Sequence, residues 1–237
     1  EALGGRVLDV PAGRTIGGTG SINGMIYVRG HRDDFDGWRD AGNEGWGFED
    51  VLPWFKMSEA NSRGEDAFHG GSGPMAVSDV PYREPLSEAF IEAGTQAGYA
   101  HNLDFNGASQ DGVGRYQLNI AHGRRASTAT AYLRAARKIG NLVVVTGATA
   151  DRVIFEGQRA SGVSYRRDGI ETSANATREI VLAAGTFNSP ALLLRSGIGG
   201  AAQLASHGIA LVADRPGVGE NLQNHFRASV VMRCREP

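Results

Sequence analysis

Hydrophobic positions follow a helical period in the first part of the chain and a strand period after Leu142. Arg6 to Val10 reads as a short strand, ended by Pro11 and Gly13. Asp33 to Ala41 and Phe48 to Ala60 read as helices with aromatic faces, and Pro53 falls in the first turn or two of the second, where it is tolerated. A third helix starts at Pro85, lines up Leu86, Ala89, Phe90, Ala93 and Ala97 on one face, and stops at Gly98. Ser127 or Thr128 can cap a fourth, which runs to about Lys138. Five short strands follow: Leu142 to Val145, Asp151 to Phe155, Ala160 to Arg166, Ile170 to Ala174 and Glu179 to Ala183. Asp168-Gly169 supplies a primed hairpin turn, so these strands form an antiparallel meander. The first and last would join a larger sheet, the last as a central strand apolar on both faces. Ser189-Pro190 then starts a helix with proline in its first turn, buried by Leu192 to Leu194 and ended by Gly197. A helix over Ala201 to Ser206, stopped at Gly208, and a strand over Ile209 to Ala213 complete the series.

Two polar stretches interrupt this pattern. Asn61 to Pro74 is a glycine-rich loop. His101 to Arg125 is irregular and too long for a casual connection, which suits a lid, a binding loop or disorder. A length of 237 residues allows one large domain or two small ones, and no repeat or linker marks a boundary. A net charge of −2 gives no reason to propose a nucleic acid partner. No apolar run approaches the ~20 residues of a membrane span. Cys234, the single cysteine, excludes an internal disulfide; with no signal peptide visible, a cytoplasmic location is expected. Glu1 does not look like a native start, so the true N-terminus is expected to lie outside this sequence.

The 34 glycines are the unusual part of the composition, and their densest cluster carries the chemistry. Gly17, Gly18, Gly20 and Gly24 sit among Thr19, Ser21 and Asn23, directly before the apolar run Met25, Ile26, Tyr27 and Val28. Glycine permits φ > 0 and lets backbone approach a ligand that a Cβ would hold off. Small polar neighbours offer hydrogen bonds. The pattern suits backbone wrapped around a cofactor.

The run Gly13-Arg14-Thr15-Ile16-Gly17-Gly18-Thr19-Gly20-Ser21-Ile22-Asn23, with Tyr27, Gly30 and Asp36, resembles the first signature of the glucose–methanol–choline (GMC) flavin oxidoreductases. Trp38, Gly42 to Trp46 and Leu52 to Phe55 resemble the segment that follows it there. Gly185-Thr186-Phe187-Asn188-Ser189-Pro190 through Gly199 matches the second signature. The resemblance covers essentially the whole chain but only the middle of the family's length.

It implies a mixed α/β fold, an FAD-binding domain of the p-hydroxybenzoate-hydroxylase-like type with part of a substrate domain. Residues 1–73 and 125–224 would belong to the FAD domain, 74–124 would start the substrate side with a lid-like loop, and 225–237 would start the substrate-domain sheet. Gly18, Thr19, Asn23, Gly24, Met25 and Ile26 would lie against the flavin, and Val153, Ala184 and Gly185 would meet the cofactor through backbone. Asn23 can both donate and accept at a ring edge. Some family members attach flavin through a histidine just before this asparagine; Ile22 stands there, so the FAD is expected to be non-covalent. The implied activity is oxidation of the CH–OH group of a primary alcohol or polyol, with a histidine base taking the hydroxyl proton while hydride passes to flavin N5. That histidine lies near the family's C-terminus, so no catalytic residue is assigned here. A cyanohydrin lyase and a light-driven fatty-acid decarboxylase share the scaffold and stand as alternatives, as does an inactive fragment that only contributes to flavin binding.

Other motifs are absent or bland. The G-x-G-x-x-G fingerprint is missing from all 237 residues, because residue 23 is Asn and no strand follows at the right spacing. The chain is therefore expected to need its missing N- and C-terminal segments to hold FAD tightly. The six histidines (His31, His69, His101, His122, His207 and His225) show no metal spacing and read as solvent-facing or structural. No G-x-S-x-G elbow exists. Asp33, Asp34 and Asp36 read as the solvated start of a helix.

Overall fold

The computed structural model describes residues 4, 5, 7, 9–224, 229 and 231. Residues 6 and 8 of the first expected strand, His225, Cys234 and most of the segment from residue 225 onward lie outside the described residues. The chain divides into two compact units, Glu1–Leu142 and Val143–Pro237.

In the N-terminal unit a turn of 3-10 helix, Gly18–Ser21, leads into strand β1 (Ile26–Tyr27). Helix α1 (Arg32–Asp40) is capped at both levels: the His31 ring accepts the Asp33 N–H, and the Asp34 carboxylate accepts the His31 N–H. The aspartate run is thus the helix start that its pattern implies. Helix α2 (Phe48–Ser58) lies against α1, with Phe35, Phe48 and Leu52 buried between them and Val51, Phe55 and Phe68 at the margin. Phe35 meets Phe55 and Trp38 edge-on at 5.7 and 5.4 Å, a favoured aromatic geometry. The expected aromatic faces form this core.

Strand β2 (Glu59–Asn61) continues from α2 and pairs in parallel with β3 (Met75–Val77). The glycine-rich loop between them is pressed onto the end of α2. A Cβ on Gly70 would overlap the Lys56 carbonyl, and one on Gly73 would overlap the Ser58 backbone. Helix α3 (Pro85–Gln96) has Pro85 in its first turn, Glu84 as cap and Gly98 at φ 94° after it, as expected. Its expected apolar face is not its buried one. Leu86, Ala89, Phe90, Ala93 and Ala97 are exposed, and the helix is held instead through Gly94 against Val113 and by the Glu88–Arg115 ion pair.

Residues 101–125 are an ordered crosspiece. Strand β4 (Gln117–Leu118) pairs antiparallel with β1, and β5 (Ile120–Ala121) forms a hairpin with β6 (Arg124–Arg125). The two turn residues, His122 at φ 51° and Gly123 at φ 70°, have the positive φ values of a primed turn. The following helix departs from its expectation. It opens as a wide π turn, Ala129–Leu133, before a short α4 (Arg134–Ala136), and no side chain caps it. Ser127 serves through its carbonyl, which accepts from Thr130 and Ala131.

In the C-terminal unit β7 (Ala148–Glu156), β8 (Arg159–Arg167) and β9 (Ile170–Asn175) form the expected antiparallel meander. Asp168 at φ 51° and Gly169 at φ 80° make the primed turn. Two expected strands are absent: residues 142–145 and 179–183 form no ladder, and Val143 and Val181 are exposed. A strand exists only where a neighbour completes its hydrogen bonds, and among the described residues none lies beside either run. Helix α5 (Gly185–Arg195) starts four residues earlier than expected, with Ala184 as its cap, so Pro190 is interior and the carbonyl of Thr186 loses its helical partner. Leu192 is buried, and Gly197 at φ 87° ends the helix. Strand β10 (Ile198–Gly199), helix α6 (Ala201–Ser206) and strand β11 (Ala213–Asp214) form a small parallel crossover over buried Leu204. The strand expected over residues 209–213 contributes only its last residue to β11.

Candidate functional site

The Gly17–Met25 stretch is shaped by its own hydrogen bonds. Gly13 lies against the Gly18 carbonyl with no room for a Cβ, and its N–H donates to Thr19 Oγ1 at 3.2 Å. Ser21 Oγ donates to the Ile16 carbonyl at 2.9 Å. Gly17 and Gly18 adopt φ 90° and 56°, and Met25, a non-glycine, adopts φ 63°. Such a residue is uncommon in the left-handed region and marks a constrained backbone. The Cβ positions of Gly18, Gly20 and Gly24 face open space. Ile22 and Ile26 beside them stay half exposed, at 52% and 51%. The carboxamide oxygen of Asn23 accepts from the Met25 N–H at 3.0 Å and from Arg125 Nη1 at 2.7 Å. Gly18, Thr19, Asn23, Gly24, Met25 and Ile26 are thus brought together on one continuous turn.

In the C-terminal unit Val153 is buried on β7 opposite Val163, and its N–H donates to Ser196 Oγ at 2.8 Å. Ala184 donates its N–H to Ser189 Oγ at 3.0 Å, and Gly185 follows at φ 88° with an open Cβ position. A groove of about 470 Å3 runs beside this helix start, lined by Thr186, Phe187, Pro190, Leu194, Gly219 and Leu222 among others.

The N-terminal unit also holds a buried ionic cluster that its sequence did not announce. Arg29 pairs with Glu59, and its other Nη donates to the Phe68 carbonyl. His69 sits between two carboxylates, with Nδ1 2.9 Å from Glu59 and Nε2 2.8 Å from Asp104. Asn61 uses its two N–H groups on Glu59 and Gln117, so its 2.9 Å approach to His69 Nδ1 is a contact and not a hydrogen bond. Both ring nitrogens therefore donate, and the ring is an imidazolium. The hydrogen bonds to Asp104 and then Glu59 push the His69 pKa up to about 9, against the lowering effect of burial. Burial alone would raise the Glu59 and Asp104 carboxyls; the His69 bond, with Asn61 and the Arg29 charge for Glu59, outweighs it and holds both below the usual range.

The sequence matches the family profile of GMC oxidoreductases over residues 2–227. That span is nearly the whole chain. The chain belongs to the GMC oxidoreductase family. It is 46% identical over 235 residues to the oxygen-dependent choline dehydrogenase of Brucella anthropi, covering 99% of this chain and 43% of that protein. The protein of the same name from Sinorhizobium medicae is 47% identical over 94% of this chain and 41% of its own length. The GMC chain thus spans less than half of the curated relatives it matches. Among solved structures, pyridoxine 4-oxidase of Mesorbium loti superposes with a TM-score of 0.80 at 38% identity, over 86% of this chain and 41% of its own. An FAD-dependent oxidoreductase from Chaetomium thermophilum gives 0.85 at 32% identity, over 92% and 40%.

The cofactor of this GMC family is FAD, and the residues present suit it. A turn that offers bare backbone, an amide side chain and flanking isoleucines can meet a flat, carbonyl-bearing ring at close range. Ile22 carries no atom that could bond to it covalently. Among the described residues no cluster of His, Cys, Asp and Glu could hold a metal ion, and no helix is long and apolar enough to cross a membrane. Sequence reasoning missed Arg125 and the Arg29–Glu59–His69–Asp104 cluster. For Arg125 the only available signal was the hairpin turn at His122-Gly123, which brings that residue back toward the glycine turn.

Proposed function

We propose that this chain is the flavin-binding core of an FAD-dependent oxidoreductase acting on the CH–OH group of a primary alcohol or polyol. The observation that carries this reading is the Gly17–Met25 turn, where the Cβ positions of Gly18, Gly20 and Gly24 are open while Gly17, Gly18 and Met25 already hold the backbone in the left-handed region. Bound FAD would supply the hydride acceptor. On this chain's side, Gly18, Thr19, Asn23, Gly24, Met25 and Ile26 form the floor under the ring. Val153, Ala184 and Gly185 form a second, backbone-based set. The domain reading also stands as a proposal: 1–73 and 125–224 as FAD-domain parts, 74–124 as the start of the substrate side, 225–237 as the start of its sheet. A small alcohol is the substrate class, and choline, named for the Brucella relative, is the first to screen. The relatives named above are oxidoreductases by name, which favours this chemistry over a lyase or a decarboxylase. The single cysteine suits a reducing, cytoplasmic compartment.

The chain alone should bind FAD weakly. Residues 142–145 and 180–183 are apolar and unladdered, as strands are when the polypeptide that pairs with them is lacking. The visible spectrum of the purified, undenatured protein tests the assignment. Flavin bands near one equivalent, bleached by an alcohol, support it; a protein that stays colourless with FAD added, in a sample whose intact mass includes the segments its relatives possess, would overturn it. Tight FAD binding by a sample of only these residues would refute the need for further segments. Acid denaturation should release the flavin into solution, because the linkage is non-covalent.

A further inference from the structure

Asn23 has a chemically fixed orientation. Its oxygen receives two donors, the Met25 N–H and Arg125 Nη1. Neither of these groups can accept, so turning the carboxamide over would set N–H against N–H twice. Both acceptor sites of the oxygen are used, and Nδ2, on an exposed residue, bonds to no atom of the described residues. The guanidinium is placed by a continuous series of backbone pairs. Strand β1 follows Met25 directly and pairs with β4; β5 leaves β4 after one residue and folds back as β6, which ends at Arg125. The Met25 carbonyl accepts the Asn119 N–H at 2.8 Å, and the Asn119 carbonyl accepts the Ala126 N–H at 2.9 Å, closing the loop of contacts around the turn. Arg125 Nη1 also reaches the Gly20 carbonyl at 3.3 Å, so one cation ties both ends of the Gly20–Asn23 segment.

We propose that Arg125 is a positioning residue that locks the Asn23 carboxamide with its oxygen inward and its –NH2 outward, so that Asn23 meets the cofactor only as a hydrogen-bond donor. This rests on the flavin reading above and sharpens it. A flavin ring offers a donor at N3–H and acceptors at its two carbonyls and at unsubstituted ring nitrogens. A fixed donor at Asn23 selects an acceptor edge and excludes N3–H. Arginine suits this task because its guanidinium carries only donors and no acceptor.

The test exploits an isostere. Asn23→Asp keeps an oxygen for Arg125 and for the Met25 N–H but replaces the outward donor with an acceptor. The purified protein, stripped of flavin and reconstituted with FAD, should then bind it on the order of tenfold or more weakly, while exchange of the Met25 amide stays as slow as in the parent. Arg125→Met should weaken FAD binding, speed Met25 amide exchange and shift the flavin visible spectrum, and Arg125→Lys should recover part of each. Parental affinity and spectrum in Asn23→Asp would overturn the proposal. So would unchanged spectrum, affinity and Met25 exchange in a folded Arg125→Met. If Arg125→Met does not fold, Asn23→Asp decides alone. A parent protein whose intact mass includes the segments its relatives possess and that takes up no FAD sinks the flavin reading instead; the lock is then judged by Met25 exchange in the flavin-free protein, where no difference between parent and Arg125→Met overturns it.

Discussion

Two glycine-rich stretches of the N-terminal unit, residues 18–24 and 70–73, look alike in sequence and use glycine for opposite reasons. In the first, Gly18, Gly20 and Gly24 turn their missing side chains toward open space. In the second, Gly70 and Gly73 turn theirs into the backbone of α2, where no atom fits. One stretch keeps room for something else; the other lets the chain close on itself. The difference extends to neighbours. The open turn is flanked by half-exposed isoleucines, and the closed loop delivers His69 into a buried ionic cluster.

Substituting alanine in the closed loop should therefore be the most damaging change. In Gly70→Ala the new Cβ overlaps the Lys56 carbonyl, and neither backbone can retreat without unseating the end of α2. Overpacking of this kind against backbone should cost about 4 kcal/mol or more. Urea denaturation followed by tryptophan fluorescence reads it, because Trp38, Trp46 and Trp54 all lie in the N-terminal unit. A loss below about 1 kcal/mol would show that the loop yields easily.

Next in size is Glu59→Gln. Glu59 is fully buried and bonds to Arg29, His69 and Asn61. Its neutral isostere leaves the Arg29 charge without its anion and His69 with Asp104 alone. Removing one member of a buried ion pair typically costs about 3–5 kcal/mol, and the lower end is expected here because Asp104 remains. The same fluorescence titration should show a lowered midpoint with an unchanged slope.

The cluster also imposes a pH dependence. His69 has its pKa raised from 6.5 to about 9, so its contribution is complete below 6.5 and is lost as pH rises through 9. Asp104 and Glu59 flank the ring, with Arg29 beyond Glu59 and the Asp66 carboxylate on the His69 backbone N–H. The depressed Glu59 and Asp104 carboxyls act in the other direction: their contribution is present above the ordinary carboxylate range and is lost as pH falls below it. Stability should therefore decline on both sides, by on the order of 2–3 kcal/mol on the alkaline limb. In His69→Gln that limb should flatten; an unchanged alkaline slope would remove His69 as its source.

What the sequence disclosed follows the same division. The open turn was legible because its glycines stand beside Thr19, Ser21 and Asn23, a local pattern with a local meaning. Helices α1 and α2 and the β7–β9 meander were legible from periodicity and from Asp168-Gly169. The cluster was not, because its members are dispersed along the chain: Arg29 and Glu59 are 30 residues apart, and His69 and Asp104 are 35 apart. Nothing local distinguishes His69 from the other five histidines. Residues 142–145 and 179–183 misled in the opposite way. Their composition is that of buried strands, yet a strand needs a partner, and among the described residues none is beside them.

The smallest expected effect on stability comes from Gly18→Ala, and it separates the two kinds of glycine most cleanly. The new Cβ meets nothing within 4 Å, so no overlap arises. The cost is the left-handed backbone alone, φ 56°, which for alanine is about 1 kcal/mol. If the open space belongs to a flavin ring, the methyl group should hold that ring off its floor and weaken FAD binding by far more than a stability change of that size would suggest. Paired measurements of urea midpoint and FAD affinity decide it. A small stability loss with a large affinity loss identifies glycine kept for a ligand. Equal, small losses in both would mean that Gly18 serves only the shape of its own turn, and that the cofactor lies elsewhere.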